Sequence, residues 1–304
     1  MTSASGAVIN ESLIHLGAEK PAALPRPASG APRWSDDGRK IVIQGKGFAA
    51  VFDREKGDFD STDPRHTCPV ISFPTIHVTR YDFGDLNGPN SPPYAVFPDA
   101  KTRRFESLEV KDEAAGLRLT VHEHYESFAG FTSWTIDKDG QGVIACDYTY
   151  SGKPMDTREA GIRLLLQRTC DELNWRRWSE WGVFPQESIS RTEGTARAHR
   201  DRKWGEARWN QRPIWPWALD ETELGITDFR SIKYNIYEAS LVSPNGTGLS
   251  AHANGNAHFR ATLAPGGMAA HLLWRCPLGQ VPLKPKERLQ GEFVVRLTPP
   301  RAKP

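Results

Sequence analysis

The sequence feature that most constrains the fold is a strict alternation of core-type and polar residues. In the segment LRLTVHEHYES, alternate residues share one face of a strand. One face would carry Leu117, Leu119, Val121, Glu123 and Tyr125. The opposite face would carry Thr120, His122 and His124. A period of two predicts a β-strand, not a helix.

Similar short segments recur along the chain and are separated by turns that contain Gly and Asp. The predicted strands cover residues 48–52, 75–81, 103–110, 116–125, 131–136, 143–150, 160–167 and 231–241, with further strands near both ends of the chain. No long segment has a period of 3.6 residues, so α-helix should be scarce. The pattern therefore predicts an all-β fold.

Residues 1–35 differ from the rest of the chain. They contain Pro21, Pro25, Pro27 and Pro32 among Ala, Ser and Gly, a composition that sustains neither a helix nor a central strand. We predict a Pro-rich N-terminal strap or linker over residues 1–35. One large β domain should cover residues 36–304, because all-β domains of this length fold as single units.

Charge and hydropathy exclude two classes of partner. Lys and Arg total 39 against 37 Asp and Glu, and the basic residues are scattered, so we expect no nucleic-acid surface. Mean hydropathy is −0.55, and no apolar run approaches the roughly 20 residues that span a bilayer. The N-terminus does not match a secretory signal, so we predict no membrane partner and a cytoplasmic location.

Cysteine spacing argues against a zinc site and against a disulfide framework. Cys68, Cys146, Cys170 and Cys276 lie far apart, without a C-x-x-C pair. His122 and His124 have a spacing seen in metal sites, but this spacing also recurs by chance in strands. We expect buried, reduced thiols and neither a metal nor a cofactor.

Tryptophan is concentrated in one part of the chain. Trp175, Trp178 and Trp181 are spaced by three, with Arg177 and Glu180 between them. Seven of the ten tryptophans fall between residues 175 and 217. Indole faces beside charged groups are suited to holding a sugar ring. The alternative is that the tryptophans are the packed face of one element, covered by arginine stems.

A resemblance to a known family appears in the same region. The motifs are Glu159-x-Gly161-Ile162-Arg163, Leu173-x-Trp175, Phe184-Pro185, Ile189-x-Arg191-x-x-Gly194 and Asp228-Phe229-Arg230-Ser231-x-Lys233. In this order they resemble the C-terminal, small-chain domain of family 2 β-galactosidases, which belongs to the galactose mutarotase-like superfamily. The resemblance implies a super-sandwich of two large antiparallel sheets, in agreement with the strand pattern.

The resemblance carries no catalytic residues over to this chain. In those galactosidases the catalytic glutamates lie in a barrel domain that this sequence lacks, and the small-chain domain lends one wall to the active site. Any chemistry of the chain alone must therefore come from the sandwich. A barrel-bearing partner chain or a second copy of this chain are possible partners.

The sequence offers two sets of catalytic candidates. A glycoside hydrolase needs two carboxyls, one of them kept protonated by apolar surroundings. Glu180 is the first candidate, with Asp228 or Glu193 as its partner. For an epimerase, His122 or His124 could shuttle a proton beside a carboxylate. Each could instead be structural, Glu180 in an ion pair, Asp228 in a turn and the histidines on the sheet surface.

The residues predicted to bind a sugar are Trp175, Arg177, Trp178, Trp181, Arg191, Trp215, Arg230 and Lys233. Glycoside hydrolysis at a Trp-lined cleft is the first functional hypothesis, on a galactoside-like carbohydrate. A non-catalytic carbohydrate-binding or assembly domain is the second, and a sugar mutarotase or epimerase is the third. Two facing carboxyls would favour the first, aromatics without an acid pair the second, and a histidine with a lone carboxylate the third.

Overall fold

The computed structural model describes residues 11–12, 23–81, 94–178, 183–184, 192–198, 232–276 and 281–299. Over these residues the regular structure is β-strand apart from one 3-10 turn at Ala100–Thr102. In chain order the strands are β1 (Glu11–Ser12), β2 (Arg33–Asp36), β3 (Lys40–Gly45), β4 (Phe48–Asp53), β5 (Asp58–Phe59), β6 (Thr75–Tyr81), β7 (Tyr94–Phe97), β8 (Arg104–Glu113), β9 (Gly116–His124), β10 (Phe128–Ile136), β11 (Gln141–Tyr150), β12 (Met155–Leu166), β13 (Glu172–Arg177), β14 (Val183–Phe184), β15 (Glu193–Arg197), β16 (Ile236–Val242), β17 (Gly248–His252), β18 (His258–Ala264), β19 (Gly267–Arg275), β20 (Val281–Leu283) and β21 (Arg288–Thr298). The prediction of an all-β fold is confirmed.

Two large antiparallel sheets make up most of the described structure. The nine-stranded sheet has the order β15-β13-β16-β17-β21-β11-β10-β9-β8. The six-stranded sheet has the order β18-β19-β12-β6-β7, and β20 pairs with the start of β12. A four-stranded sheet, β2-β3-β4-β5, and the short pair β1-β14 complete the topology.

The two large sheets share one hydrophobic core. The nine-stranded sheet contributes Leu119, Ile144 and Phe293, and the six-stranded sheet contributes Ile162 and Leu272. The alternation predicted for residues 117–125 is confirmed, because the core-type residues are buried and the intervening residues point away from the core. The predicted super-sandwich of two large antiparallel sheets is therefore what the chain forms.

The four-stranded sheet joins this core through aromatic rings. Phe52 on β4 is fully buried and meets Phe59 and Phe73 edge-on, with ring centroids 5.8 and 5.5 Å away. Phe59 in turn contacts Trp134 of β10 at 5.8 Å. Such pairs add to the free energy of burial. The small sheet is thus part of the same cooperative core.

One prediction about a loop is wrong in part. The segment 82–101 is rich in Pro and Gly, a composition that predicts an irregular loop. Residues 82–93 lie outside the described residues, but Tyr94–Phe97 forms β7 and pairs with β6. The free edge of β6 offers backbone hydrogen bonds that composition alone does not reveal.

Asp137 holds two parts of the chain together. Its Oδ1 atom accepts hydrogen bonds from the backbone N–H groups of Asp139 and Gln141, each at 3.0 Å, in the β10–β11 turn. Its Oδ2 atom accepts from Ala28 and Ser29 at 3.1 and 3.2 Å. The described end of the predicted strap, from residue 23, is therefore anchored to a hairpin of the nine-stranded sheet. The predicted boundary at residue 35 falls within β2.

All four cysteines fall within the described residues and are buried free thiols. Burial raises the pKa of Cys68 and of Cys170 to about 12. In the described part of the chain, no helix has the length and apolar character needed to cross a membrane.

We expect Phe52→Ala to lower the free energy of unfolding by about 3–5 kcal/mol, because it leaves a cavity among packed rings. Trp34→Ala, in the same sheet but 38% exposed, should cost less than about 1 kcal/mol. Urea unfolding monitored by fluorescence and circular dichroism measures both. Equal costs for the two variants would contradict a core shared with the small sheet.

Candidate functional site

The six-stranded sheet carries polar residues on the face that points away from the core. On β12, Ile162 and Leu164 point into the core, and the alternation of the strand places Glu159, Gly161 and Arg163 on the opposite face. Glu159 is nevertheless fully buried. A buried carboxylate on a non-core face calls for partners that compensate its charge.

The strands on either side of β12 add two histidines to this face. His77 on β6 lies opposite Gly161, and His271 on β19 lies opposite Arg163. The two imidazole rings meet with their centroids 4.4 Å apart, and both side chains are buried. Gly161 is required where the backbone of β19 passes, because a Cβ there would collide with the Leu272 carbonyl oxygen.

Arg260 on β18 binds Glu159 through one hydrogen bond and a second ion-pair contact. Its Nη1 atom lies 2.8 Å from Oε1 and its Nη2 atom 2.7 Å from Oε2. His77 approaches the same carboxylate, with Nε2 3.2 Å from Oε2. A bidentate guanidinium pair is the strongest arrangement that a buried carboxylate can have. We call His77, Glu159, Arg260 and His271 the Glu159 cluster.

The surroundings fix the charges of the Glu159 cluster. Burial alone would raise the pKa of Glu159, but the hydrogen bond from His77 and the charge of Arg260 lower it overall. Burial lowers the pKa of His77. Burial, together with the neighbouring His77 and Arg260, sets the pKa of His271 well below its usual value. At neutral pH the cluster therefore holds an ionised carboxylate, a guanidinium and two neutral imidazoles.

The hydrogen bonds also assign a tautomer to His77. An ionised carboxylate only accepts, so the proton of neutral His77 must sit on Nε2 and leave Nδ1 with a free lone pair. Among the described residues, three buried nitrogens have no hydrogen-bond partner: this Nδ1 atom, the Nδ1 atom of His271 and the Nε atom of Arg260. The Nε2 atom of His271 lies 3.0 Å from Thr262 Oγ1. Unsatisfied buried polar atoms are rare in proteins and call for an explanation such as a ligand or a catalytic role.

A second buried carboxylate shows what a closed network looks like. Glu123, on the core side of the nine-stranded sheet, accepts hydrogen bonds from Tyr125 at 2.8 Å and Tyr148 at 2.6 Å. It also forms an ion pair with Arg103. All of the polar atoms that these four side chains bury find partners, so we assign this network a structural role.

Some of the sugar-binding residues predicted from the sequence come together around β13. Trp175 and Arg177 are buried on the same face of this strand. The Nζ atom of the fully buried Lys233 lies 4.2 Å from the centroid of the Trp175 ring, a cation–π contact. Trp178 follows directly and donates its backbone N–H to Asn235 at 2.8 Å. Trp175 belongs to the hydrophobic core.

The other described candidates are on the surface. Glu193 is exposed on β15. His122 and His124 are partly exposed on the outer face of β9, with ring nitrogens 3.6 Å from Glu109 and 2.8 Å from Glu106. These pairs have the character of surface ion pairs. The candidates that lie outside the described residues are Glu180, Trp181, Arg191, Trp215, Asp228 and Arg230.

Sequence reasoning did not select the residues of the Glu159 cluster, although Glu159 stands in the family-like motif. The sequence contains one weak indication of this cluster. His77 and His271 are single histidines within strands of mostly apolar or β-branched residues, in TIHVT and AAHLLW. A histidine in such a position needs a partner, and the sequence does not show which one. Among the described residues, no three His, Cys, Asp or Glu side chains form a group that could hold a metal ion.

Comparisons with known proteins give weak likenesses. No known family model matches the sequence, and no curated protein matches it either. The galactosidase domain of an α-galactosidase–sucrose kinase has a TM-score of 0.46 and 10% identity, over 88% of this chain and 42% of that one. An Escherichia coli K12 protein provisionally named an aldose 1-epimerase has a TM-score of 0.43 and 10% identity, over 84% of this chain and 97% of that one. The α-galactosidase from Lactobacillus brevis has a TM-score of 0.42 and 10% identity, over 86% of this chain and 39% of that one. The chain thus spans less than half the length of the two galactosidase chains.

We expect His271→Gln to make stability less dependent on pH. Because the pKa of His271 is lower in the folded chain than its usual value of 6.5, the unfolded chain takes up a proton at a higher pH than the folded chain does. The stabilisation by neutral His271 is therefore complete above pH 6.5 and is lost as the pH falls below 6.5. Between pH 6.5 and 5 the unfolding free energy of the wild type should fall more steeply than that of the variant, by up to about 1.4 kcal/mol per pH unit. Urea unfolding across this range measures both slopes. Parallel slopes would show that His271 is not held neutral in the fold.

Proposed function

We propose that the chain acts on a carbohydrate by proton transfer at the Glu159 cluster, as a sugar mutarotase or epimerase. The observation that carries the proposal is a buried, ionised carboxylate beside two neutral imidazoles, each with a buried Nδ1 atom that has no hydrogen-bond partner among the described residues. A histidine with a lone carboxylate is the arrangement that favours this function over the other two. The carbohydrate substrate class rests on the motifs of residues 159–233, which resemble a sugar-active domain.

In this proposal His77 is the general base. Its open Nδ1 atom takes the proton from the anomeric hydroxyl of a cyclic sugar, and the C1 to ring-oxygen bond breaks to give the open-chain aldehyde. The proton passes to the former ring oxygen. Rotation about the C1–C2 bond and the reverse steps close the ring with the opposite configuration at C1, so atoms and charge balance.

Glu159 has the supporting role. The imidazolium that forms on His77 keeps its Nε2–H directed at the Glu159 carboxylate, 3.2 Å away, which stabilises the new positive charge. Arg260 keeps that carboxylate ionised and fixed in orientation. His271 offers a second open nitrogen to a substrate oxygen. Such acid–base assistance is worth about 10²–10⁴ in rate.

Glycoside hydrolysis is the second candidate. It is supported by three predicted sugar-binding residues that come together at β13, Trp175, Arg177 and Lys233. Hydrolysis also requires two carboxyls at one site. Glu180, with Asp228 or Glu193 as the second carboxyl, keeps that role as a hypothesis, and a barrel-bearing chain or a second copy of this chain is the partner that completes the site.

Glu159→Gln should lower the rate of mutarotation by at least about 100-fold, because it removes the charge that stabilises the His77 imidazolium. Polarimetry of freshly dissolved α-D-galactose and α-D-glucose, with wild type and variant, measures the rate. Glu113→Gln is the matched control, since Glu113 pairs with Arg118 on the opposite, exposed sheet face. Wild-type turnover that survives in Glu159→Gln but is lost in His122→Gln or His124→Gln would move the site to β9 and overturn the proposal.

The hydrolase candidate is tested with a panel of aryl α- and β-glycosides. If hydrolysis occurs and disappears in Glu180→Gln or Asp228→Asn while Glu159→Gln keeps it, the sandwich is a glycosidase. If the chain neither hydrolyses nor interconverts any sugar, yet sugars quench its tryptophan fluorescence, it is a binding or assembly domain.

A further inference from the structure

Arg163 is a cation beside the Glu159 cluster that no carboxylate of the described residues neutralises. It lies on the same face of β12 as Glu159, directly opposite His271, and its side chain is about half-buried. Among the described residues no carboxylate pairs with its guanidinium. Burial lowers the pKa of Arg163, and no neighbouring acid offsets that effect.

Comparable arginines in this protein have acidic partners. Arg260 binds Glu159, Arg103 binds Glu123 and Arg275 binds Glu287. Removing a guanidinium from water without compensation is unfavourable, and proteins usually place a carboxylate beside it. Arg163 differs from these three arginines in that respect.

The charges of the whole group do not balance. Arg163 and Arg260 are cations, Glu159 is the one anion, and His77 and His271 are neutral. One positive charge is therefore uncompensated in a partly desolvated site, next to three polar atoms that also have no partner. An anion that binds here would gain from both features.

We propose that the substrate is an anionic sugar whose carboxylate or phosphate group pairs with Arg163. This inference rests on the proposed function, because it places the sugar ring at the Glu159 cluster. His77 lies opposite Gly161, two residues from Arg163, so the Cα atoms of His77 and Arg163 are about 8 Å apart at the usual rise and strand spacing. A hexose ring with C1 at His77 places the charged group of C6 toward Arg163. Hexuronates and hexose 6-phosphates have this arrangement.

Arg163→Gln tests the inference through substrate preference. Mutarotation of D-galactose, D-galacturonate and D-galactose 6-phosphate is measured with wild type, Arg163→Gln and Arg163→Lys. The wild type should prefer one of the anionic sugars by about 10–100-fold in kcat/KM, the usual value of a charged hydrogen-bonded pair. Arg163→Gln should lose this preference through a higher KM for the anionic sugar, and Arg163→Lys should keep part of the preference. The two anionic sugars distinguish a carboxylate site from a phosphate site.

Arg118→Gln is the matched control, because Arg118 lies on the exposed face of the nine-stranded sheet and pairs with Glu113. The Arg118→Gln variant should prefer the anionic sugar over galactose as strongly as the wild type does. A wild type without preference, or a preference that survives in Arg163→Gln, overturns the inference and leaves the proposed function standing.

Calorimetric binding of the same three sugars separates the two proposals. If no sugar is interconverted but the anionic sugars bind the wild type more tightly than galactose, and Arg163→Gln abolishes the difference, the anion site stands and the mutarotase function fails. Absence of both turnover and selective binding overturns both. An unchanged urea midpoint for Arg163→Gln excludes misfolding as the cause of its loss.

Discussion

The pairing of Glu159 with Arg260 is the interaction on which the arrangement of the polar sheet face depends. It joins β12 to β18 across the intervening β19 and places a negative charge where the tertiary structure excludes water. Replacing such a pair with apolar residues often stabilises a protein, so its presence is weak evidence for a purely structural role. Its effect on His77 is direct, because an ionised carboxylate at Nε2 decides which ring nitrogen is open.

The comparison of Glu159 with Glu123 separates two kinds of buried acid. Both are held by an arginine and both lie in the interior. The network of Glu123 is closed by two tyrosine hydroxyls, while the network of Glu159 ends in imidazole and guanidinium nitrogens that have no partner. A closed network contributes rigidity, whereas an incompletely paired network leaves buried polar groups unsatisfied. The incompletely paired network belongs to the six-stranded sheet.

Much of the fold could be predicted from the sequence, because alternation is a local property. The strands of residues 75–81, 116–125 and 143–150 follow from it nearly to the residue, and the burial of alternate side chains follows as well. The Glu159 cluster could not be predicted in this way. His77 and His271 are separated by almost two hundred residues and meet only because β6 and β19 flank the same strand. That register depends on the whole sheet, and single histidines in mostly apolar strands do not disclose it.

Tryptophan clustering was informative in a different respect. Trp175 stands in the core, so its spacing reflected packing as well as any contact with a sugar. Lys233 lies on its ring, a pairing between distant segments that spacing could not supply. Local pattern therefore indicated where aromatic residues concentrate, but not which atoms would be open to a ligand.

Asp137 accepts hydrogen bonds from two parts of the chain, and the loops that these bonds close differ greatly in length. Its contacts within the β10–β11 turn close loops of two to four residues, whereas those with Ala28 and Ser29 close loops of more than one hundred. Short loops close with less loss of chain entropy and on a faster timescale. The hairpin can thus form early and carry a preformed acceptor, and residues 28–29 attach to it as a late step. During synthesis from the ribosome, the N-terminal segment emerges long before its docking site exists.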